Sequence, residues 1–380
     1  MNQPFVRTEN KLWNIHFIKI LLVVLPLAVC NQIQVTTLPL YAQHLGGSDT
    51  IAGLVMGIFT ISALMFRPLV GAMLDRKGRR LVLLMGAVLA FAASLLYYFV
   101  GVIWLLLLLR FIHGAGFSAY TTSGGTIVSD VVPVLRLMEG MGYYVIILTM
   151  AVAVGPAFGF YLIGLIGIRE LYLVTAGISA LGILGVFFIN YEKNNKPNFN
   201  SDSSPVNDGA KKDQKIQFFE RNALKPSLVM FFIALAQGSI ISFLPLFAYS
   251  QGIGNIGVFF TVNAAAMLLS RTITGRLSDR FGASSIMLPG TSLLIIGLAL
   301  IPFATSLSQF VVLGVLYGLG SGVAFPVLNA VAIKRCPAGH RGSGNATFLS
   351  AVDAGYGIGS VFWGVVLENA GFTAVYFGAS

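Results

Sequence analysis

The chain has 380 residues, of which 56% are hydrophobic and 10% are charged, and its mean hydropathy is +0.83. Soluble domains carry about 25% charged residues, so this composition excludes a water-soluble globular protein of this size. The formal net charge of +10 does not indicate nucleic-acid binding, because the basic residues lie in short segments between apolar runs. Two cysteines, Cys30 and Cys336, exclude a disulfide scaffold. The composition therefore indicates a polytopic membrane protein.

Apolar runs long enough to cross a bilayer, which takes about 20 residues, recur along the whole chain. The first six predicted helices are 16–41, 51–74, 81–99, 103–128, 142–166 and 171–188. Five more follow after a break, at 228–247, 256–273, 286–303, 310–333 and 346–367, and a twelfth begins at Phe372. The runs lack the alternation of a barrel wall, so the predicted fold class is all-α.

The positions of the basic residues predict how the chain is oriented in the membrane. If the N-terminus is cytoplasmic, all but two of the 24 Lys and Arg residues lie on the cytoplasmic side or at the helix ends that face it. The two exceptions are Arg110, inside the fourth predicted helix, and Arg169, in a loop on the other side. Because basic residues concentrate in cytoplasmic loops, we expect a multi-pass protein of the cell membrane with a cytoplasmic N-terminus.

One long polar stretch, from Asn190 to Lys225, separates the first six predicted helices from the rest. It is rich in Asn, Ser, Asp and Lys and cannot bury a core, which predicts a flexible cytoplasmic linker. The predicted organisation is an N-terminal six-helix bundle at 1–189, a linker at 190–225, and a C-terminal bundle at 226–380 with five full helices and a stub.

A repeated pattern relates the two halves at a constant offset of 204 residues. The pattern R-x-x-x-G-x-x-x-D-R-x-G runs from Arg67 to Gly78 and again from Arg271 to Gly282. Two bundles in the same orientation are typical of transporters built from parallel repeats, whose substrate site lies between them near the bilayer midplane. The sixth helix ends near Phe188, so its counterpart would end 204 residues later, and we expect the twelfth helix to be truncated at Ser380.

Several motifs in these positions are similar to those of the major facilitator superfamily, and the resemblance covers the whole chain. The segment from Gly71 to Arg80 resembles the loop motif between the second and third helices of that family. The segment 108–116 resembles its fourth-helix motif, with His113 where glutamine is usual. The residues that resemble the motif of its antiporters are Gly142, Gly155, Pro156 and Gly159, while Ala151 and Phe160 stand where glycines are usual.

The nearest resemblance is to bacterial twelve-helix efflux permeases of the drug:proton antiporter kind. It implies a secondary active transporter that moves a small molecule by alternating access of two bundles and exchanges it for protons. The alternatives are a proton-coupled importer of a nutrient or metabolite and, more remotely, a membrane sensor that transports nothing.

The motif residues form a candidate conformational latch, which comprises Gly71, Asp75, Arg76, Gly78, Arg79 and Asp130 in the first half and Gly275, Asp279, Arg280 and Gly282 in the second. Gly71 and Gly78 would permit a tight reversal of the chain. Asp75 could accept hydrogen bonds from a helix N-terminus, and Asp130 is the favoured partner of the neighbouring arginines. The alternative for the basic residues is a purely topological role.

Ionisable residues inside apolar spans are functional candidates by default. Asp353 is the only acidic residue well inside a span of the second half, and a buried carboxyl group that loads and releases a proton would couple transport to protons. Arg110 and His113 share a helix face, where they could bind an anionic group or relay a proton. The alternatives are a structural acid, an arginine that snorkels to the interface and a packed neutral histidine.

Amide side chains inside the spans are candidates for lining a substrate cavity: Asn31, Gln34, Gln237, Asn263 and Asn329. Such amides either face a polar cavity or hydrogen-bond between helices, and the sequence leaves both readings open.

The chain carries no pattern that indicates an enzyme. Its four histidines are scattered, and neither a Walker sequence nor H-E-x-x-H occurs. The expected partners are a small-molecule substrate, protons and the lipid bilayer, without nucleic acid, an obligate protein partner, a metal or a cofactor.

Overall fold

The computed structural model describes residues 12–133, 136–190, 220–281, 283–336 and 341–380. The helices in these ranges are α1 Ile15–His44, α2 Asp49–Lys77, α3 Arg79–Tyr97, α4 Ile103–Val131, α5 Leu137–Ile166, α6 Leu171–Phe187, α7 Leu224–Ser250, α8 Gly257–Phe281, α9 Ala283–Leu300, α10 Leu307–Arg335 and α11 Arg341–Ala379. The described ranges contain no strand, and the predicted all-α class is confirmed.

Gly371 breaks the last of these helices near its end. Its backbone angles, φ 79° and ψ 175°, are not helical, and glycine adopts them without the strain that a Cβ would cause. The short helical segment beyond Gly371 is the twelfth element, which the sequence predicts to begin at Phe372.

Lipid is the solvent for the outer surface of these helices. Nine helices of the described ranges are long and apolar enough to cross a bilayer, and α6, with 17 residues, is a shorter apolar helix. Large apolar side chains are exposed on them, including Trp104 at 81%, Leu22 at 63% and Leu181 at 61%. Contiguous apolar surface of this kind is rare on soluble proteins and suits hydrocarbon. The chain is a multi-pass membrane protein.

Local sequence signals place several helix starts. The side chain of Asn14 accepts a hydrogen bond from the Phe17 N–H at 2.9 Å and caps α1. Ser306 and Gln309 form a reciprocal capping box at the start of α10. These caps satisfy backbone N–H groups that have no partner inside the helix.

The sequence repeat is also a repeat of packing. In the N-terminal bundle, a Cβ on Gly114 would collide with the carbonyl of Phe59. In the C-terminal bundle, a Cβ on Gly318 would collide with the carbonyl of Asn263. Both members of this contact are shifted by the same 204 residues, so α4 packs on α2 as α10 packs on α8. The same holds where α4 meets α3 and where α10 meets α9. Gly116 packs against Gly86 in the first half, and Gly320 packs against Gly290 in the second.

The two bundles meet mainly through α2 against α11 and α5 against α8. Gly53 leaves room for the backbone of Ser360, and Gly257 leaves room for the backbone at Pro156 and Ala157. Gly53 and Gly257 are 204 residues apart, as are Pro156 and Ser360, so the interface has an approximate two-fold relation. These contacts lie toward the end that carries the α1–α2 and α7–α8 connections, which we call the far end.

Hydrogen bonds also join the bundles toward the far end. The Thr261 hydroxyl on α8 donates to the Ala153 carbonyl on α5 at 2.6 Å. Glu368 on α11 accepts from the Thr50 N–H at the start of α2 at 3.2 Å. The opposite end of the molecule carries the α2–α3 connection with its arginines, and we call it the basic end.

The end of the predicted linker is folded. A 3-10 turn at Arg221–Ala223 leads into α7, which begins at Leu224, inside the stretch 190–225. The Glu220 N–H donates to the Thr347 hydroxyl at 2.9 Å, which holds this turn against α11. Residues 191–219, the remainder of the linker prediction, lie outside the described ranges.

Replacing Gly53 by alanine is expected to weaken closure of the far end, because the added Cβ collides with backbone rather than with a movable side chain. We expect a cost to this state of about 1–3 kcal/mol. Spin labels at His44 and Asn369, exposed positions on the two bundles, would report longer distances at this end. The native cysteines would first be replaced.

Gly257→Ala should act in the same direction, because its Cβ meets the backbone of α5. Gly177→Ala is the matched control, since this helical glycine on α6 has no neighbouring atom within 4 Å of an added Cβ. Unchanged label distances in both Gly53→Ala and Gly257→Ala would contradict the packing described above.

Candidate functional site

An ion pair crosses between the two bundles. A terminal guanidinium nitrogen of Arg67 on α2 lies 2.9 Å from Oδ2 of Asp353 on α11. The two side chains are 34% and 25% exposed, so neither is sealed from the space between the bundles. Because the partners belong to different bundles, relative motion of the bundles acts directly on this pair.

The pair lies within helices, nearer the basic end than the far end. Arg67 is ten residues before the end of α2 at Lys77 and eighteen residues after its start at Asp49, which are rises of about 15 Å and 27 Å along the helix axis. Ionisable residues inside the helices of membrane proteins are usually functional.

A second contact between the bundles is the repeat counterpart of the first. Arg271 on α8 donates to the hydroxyl of Thr149 on α5 at 3.4 Å. Arg271 is 204 residues after Arg67, and Thr149 is 204 residues before Asp353. The two arginines occupy matching places, but one meets a carboxylate and the other a hydroxyl.

Tyr356 lies one turn from Asp353 on α11 and joins that helix to α7. Its hydroxyl donates to Oε1 of Gln237 on α7 at 2.5 Å. We call the group of Arg67, Thr149, Gln237, Arg271, Asp353 and Tyr356 the interface cluster. It draws on α2, α5, α7, α8 and α11, and thus on both bundles.

The interface cluster has two guanidinium groups and one carboxylate. The Nε–H groups of Arg67 and Arg271 are buried and have no hydrogen-bond partner within the described residues. Unpaired buried donors raise the free energy of a structure unless another group supplies an acceptor. The free N–H groups of the cluster can therefore donate to one more hydrogen-bond acceptor. Its single carboxylate, Asp353, can change its partner or its protonation state.

A separate polar centre lies inside the N-terminal bundle, around the fully buried Arg110. Its Nε–H donates to the Val55 carbonyl at 3.1 Å, and its guanidinium carbon lies 4.0 Å from the ring centre of Phe59. A terminal nitrogen lies 3.2 Å from Nδ1 of His113. Arg110 is 0% exposed, so in this structure it does not snorkel to the interface.

His113 is held in one tautomer by this contact. A guanidinium group can only donate, so Nδ1 of His113 accepts and its proton resides on Nε2. The Tyr97 hydroxyl lies 3.3 Å from the same nitrogen. The buried histidine is therefore neutral in this arrangement, with a packed aromatic neighbour in Phe59.

The sequence groups Arg110 and His113 with Asp353 as proton-coupling candidates, but the described residues record no contact between the two centres. Arg110 is seven residues from the start of α4 at the far end, a rise of about 10 Å. Asp353 instead lies nearer the basic end and between the bundles. The structure thus separates one enclosed centre from one interface centre.

The predicted latch has a different geometry from the one expected. Gly71 lies inside α2, so it does not take part in a chain reversal. Gly78 alone makes the turn into α3, with φ 89°, because a Cβ would be strained there. The expectation of a two-glycine turn is therefore corrected to one glycine.

Arg79 and Asp130 do approach each other, with Nε 3.2 Å from Oδ2. Arg79 also donates to the Leu74 carbonyl at 3.1 Å. All three residues belong to the N-terminal bundle, so this pair ties α3 to α4 and does not cross between the bundles. Arg76 is exposed at the end of α2.

Several latch residues fall outside what the structure describes. The side chains of Asp75, Asp279 and Arg280 are not described, nor are Gly275 beyond its place in α8 and Gly282 as a whole. Their part in a latch stays a prediction.

The antiporter-like motif lies where three helices meet. A Cβ on Gly155 would meet Gln32, and one on Gly159 would meet Ile33, so these glycines let α5 approach α1. The Pro156 carbonyl faces Gly257 of the other bundle. Gly142 is exposed and has no atom within 4 Å of an added Cβ, so it does not join this contact.

The five amides divide into two groups. Gln34 is fully buried and donates to the hydroxyls of Ser94 at 2.6 Å and Thr175 at 3.1 Å. It therefore joins α1 to α3 and α6 inside one bundle, rather than lining the space between bundles. Gln237 belongs to the interface cluster. The side-chain oxygens of the other three are buried without a hydrogen-bond partner among the described residues: Asn31, Asn263 and Asn329.

The sequence interpretation did not select Arg67, Arg271, Thr149 or Tyr356 as site residues. The signal that could have found the arginines is the repeat itself, since both stand at the first position of the repeated pattern and inside apolar spans. Nothing in the sequence alone pairs Thr149 with Arg271.

Comparison with known proteins agrees with this architecture. The Major Facilitator Superfamily profile matches residues 20–255 and 226–380. The Staphylopine export protein of Staphylococcus aureus is 24% identical over 371 residues, covering 95% of this chain and 91% of that protein. The Multidrug resistance protein MdtG of Citrobacter koseri is 28% identical over 365 residues, covering 88% and 87%.

Among solved structures, a bacterial homolog to the human lysosomal transporter Spinster superposes with a TM-score of 0.76 at 16% identity. The match covers 92% of this chain and 81% of that one, and it shows a shared fold. The family and these relatives are transporters rather than enzymes. The profile match, the repeat and the two-bundle fold together show that this chain belongs to the Major Facilitator Superfamily.

Proposed function

We propose that the protein exports a small molecule in exchange for protons, by alternating access of its two bundles. The observation that carries this proposal is the ion pair between Arg67 and Asp353, which places a titratable carboxylate between the moving parts. Buried acids in this position are the groups that pumps and transporters use for proton relay.

The coupling follows from the electrostatics of the pair. While the bundles hold Arg67 beside Asp353, the carboxylate is neutralised by its partner. When the bundles separate them, an unpaired carboxylate inside the span is costly, and taking up a proton removes the charge. Re-forming the pair expels that proton. In each cycle Asp353 is therefore once paired with Arg67 without a proton and once unpaired with a proton.

The direction of transport rests on the relatives and on the charge distribution. Two relatives are named for export and for multidrug resistance. We place the basic end in the cytoplasm, because it carries Arg76, Arg79 and Arg80. The far end, which is closed in this structure, then faces outward, and the interface cluster lies on the cytoplasmic side of the closing contacts.

We assign proton coupling to Asp353 rather than to the centre around Arg110. His113 is enclosed within one bundle and its Nδ1 is already engaged by a permanent cation. Motion between the bundles does not act on this contact directly, whereas it does act on the pair at Asp353.

Asp353→Asn is expected to lower proton-coupled transport by at least about tenfold, a loss of about 1.4 kcal/mol, because asparagine cannot carry a proton through the cycle. Inside-out vesicles with an acid interior and a dye sensitive to the pH gradient would be screened with candidate compounds. A transported compound would dissipate the gradient in wild type and not in the variant.

The control for that screen is Glu170→Gln, which removes an exposed carboxyl group near the far end and should behave as wild type. Coupled transport that persists in Asp353→Asn would refute the coupling assignment. Uptake driven by an inward proton gradient in right-side-out vesicles would instead support the importer alternative.

His113→Asn is expected to keep coupled transport within about twofold of wild type, because the asparagine oxygen can replace Nδ1 as the acceptor for Arg110. His113→Leu supplies no acceptor and should lower the melting temperature of the purified protein. A loss of coupling in His113→Asn, with unchanged melting temperature, would move the proton relay to this centre.

Orientation can be tested with cysteine at two exposed positions. Arg76→Cys, at the basic end, should react with a membrane-impermeant maleimide in inside-out vesicles and be protected in intact cells. Gln251→Cys, after α7 at the far end, should show the reverse. The native thiols Cys30 and Cys336 are buried, which keeps the background low. The opposite labelling pattern would overturn the cytoplasmic N-terminus.

A further inference from the structure

The two repeat-related contacts between the bundles are unequal in charge. At one, Arg67 faces the carboxylate of Asp353. At the other, Arg271 meets the hydroxyl of Thr149, its hydrogen-bond partner among the described side chains. Both repeats have an arginine at this place, but one of them faces a carboxylate and the other does not. The interface cluster therefore has one positive charge that no carboxylate of the cluster balances.

We propose that Arg271 binds an anionic group of the transported substrate, a carboxylate or phosphate carried by a small organic molecule, at the place where its guanidinium group now meets the Thr149 hydroxyl. This proposal rests on the transport function proposed above, because it identifies the occupant with the transported molecule. The ligand would supply the acceptor that Asp353 supplies at the matching site.

The hydrogen bonding of Arg271 leaves room for such a group. Its Nε–H is buried without a partner among the described residues. Its contact with Thr149, at 3.4 Å, is long for a hydrogen bond. A guanidinium group presents parallel N–H donors that match the two oxygens of a carboxylate or phosphate, which favours an oxyanion over a single neutral acceptor.

The charges around Arg271 favour an anion as well. The cluster's carboxylate, Asp353, is engaged by Arg67. None of the acidic side chains that the structure describes forms an ion pair with Arg271. A half-buried cation without a paired anion is costly, and a bound anion removes that cost.

The position suits a substrate group rather than a fixed structural contact. Arg271 is ten residues before the end of α8 at Phe281, a rise of about 15 Å, which is the same depth as Arg67. The site lies between α5 of one bundle and α8 of the other. Parallel-repeat transporters bind their substrates between the repeats, as this site lies between α5 and α8.

The repeat itself supplies the sharpest test. Thr149→Asp places at the second contact the carboxylate that Asp353 provides at the first. The introduced carboxylate should pair with Arg271 and leave no place for an anionic ligand. Thr149→Asn has nearly the same size and no charge. The anion site should be lost in Thr149→Asp and kept in Thr149→Asn.

Binding would be measured on the full chain purified in detergent, by the shift in melting temperature with four probes that share one ring system. The anions are 1-naphthoate and 1-naphthyl phosphate, the neutral probe is 1-naphthamide, and the cation is 1-naphthylmethylamine. Wild type and Thr149→Asn should be stabilised by the anions only. In Thr149→Asp and in Arg271→Gln the apparent Kd for the anions should rise at least about tenfold.

Arg335→Gln is the control for loss of one positive charge, because Arg335 is exposed at the end of α10, and it should bind the anions as wild type does. A larger effect of naphthoate than of naphthyl phosphate would identify the group as a carboxylate, and the reverse as a phosphate. Equal stabilisation by naphthoate and naphthamide in wild type, or full anion binding by Thr149→Asp, would overturn the proposal.

This equilibrium measurement does not depend on proton coupling. Anion binding without proton-driven transport would leave the site standing and refute the proposed exchange. Proton-driven export of cationic or neutral compounds, without any response to the anions, would refute the site and leave the exchange standing.

Discussion

Glycine at two repeat-related positions is the constraint on which the arrangement of the bundles depends. Gly53 and Gly257 lie where α2 and α8 touch the backbone of the opposite bundle, and a single added carbon at either place has no room. In a membrane, helices associate through such close packing, because lipid is as apolar as the side chains and burial alone gives little drive. The backbones of the two bundles meet at the far end because these glycines leave room, and the polar contacts between the bundles lie nearer the basic end.

The packing contacts are alike in the two halves of the repeat, whereas the charged contacts differ. Contacts such as Gly114 with Phe59 and Gly318 with Asn263 match across the halves even though the partner side chains differ, because the contact is to backbone. The interface cluster shows the opposite pattern, with matching arginines and unlike partners. A symmetric scaffold thus presents an asymmetric set of charges, as a transporter needs if proton and substrate are to occupy different places in one cavity.

The sequence predicts much of the fold, because bilayer thickness sets helix length and the repeat sets the number of halves. It places Asp353 inside a predicted helix and favours Asp130 as the partner of the arginines, which Arg79 does contact. It does not reveal that this contact lies within one bundle, because helix docking is not encoded in a local pattern. Gln34 shows the same limit, because a buried amide looks alike in sequence whether it joins helices or lines a cavity. The pairing of Thr149 with Arg271 depends on how two bundles are docked, and no local pattern encodes it.

Helix α11 carries two carboxylates that touch α2 at separate points, Glu368 at the Thr50 N–H and Asp353 at Arg67. The carboxylates are fifteen residues apart, about 22 Å along the axis. If the bundles alternate as proposed above, a tilt of α11 against α2 would break one of these contacts while the other is kept. Loss of either carboxylate would then favour the tilt in which the remaining contact is kept.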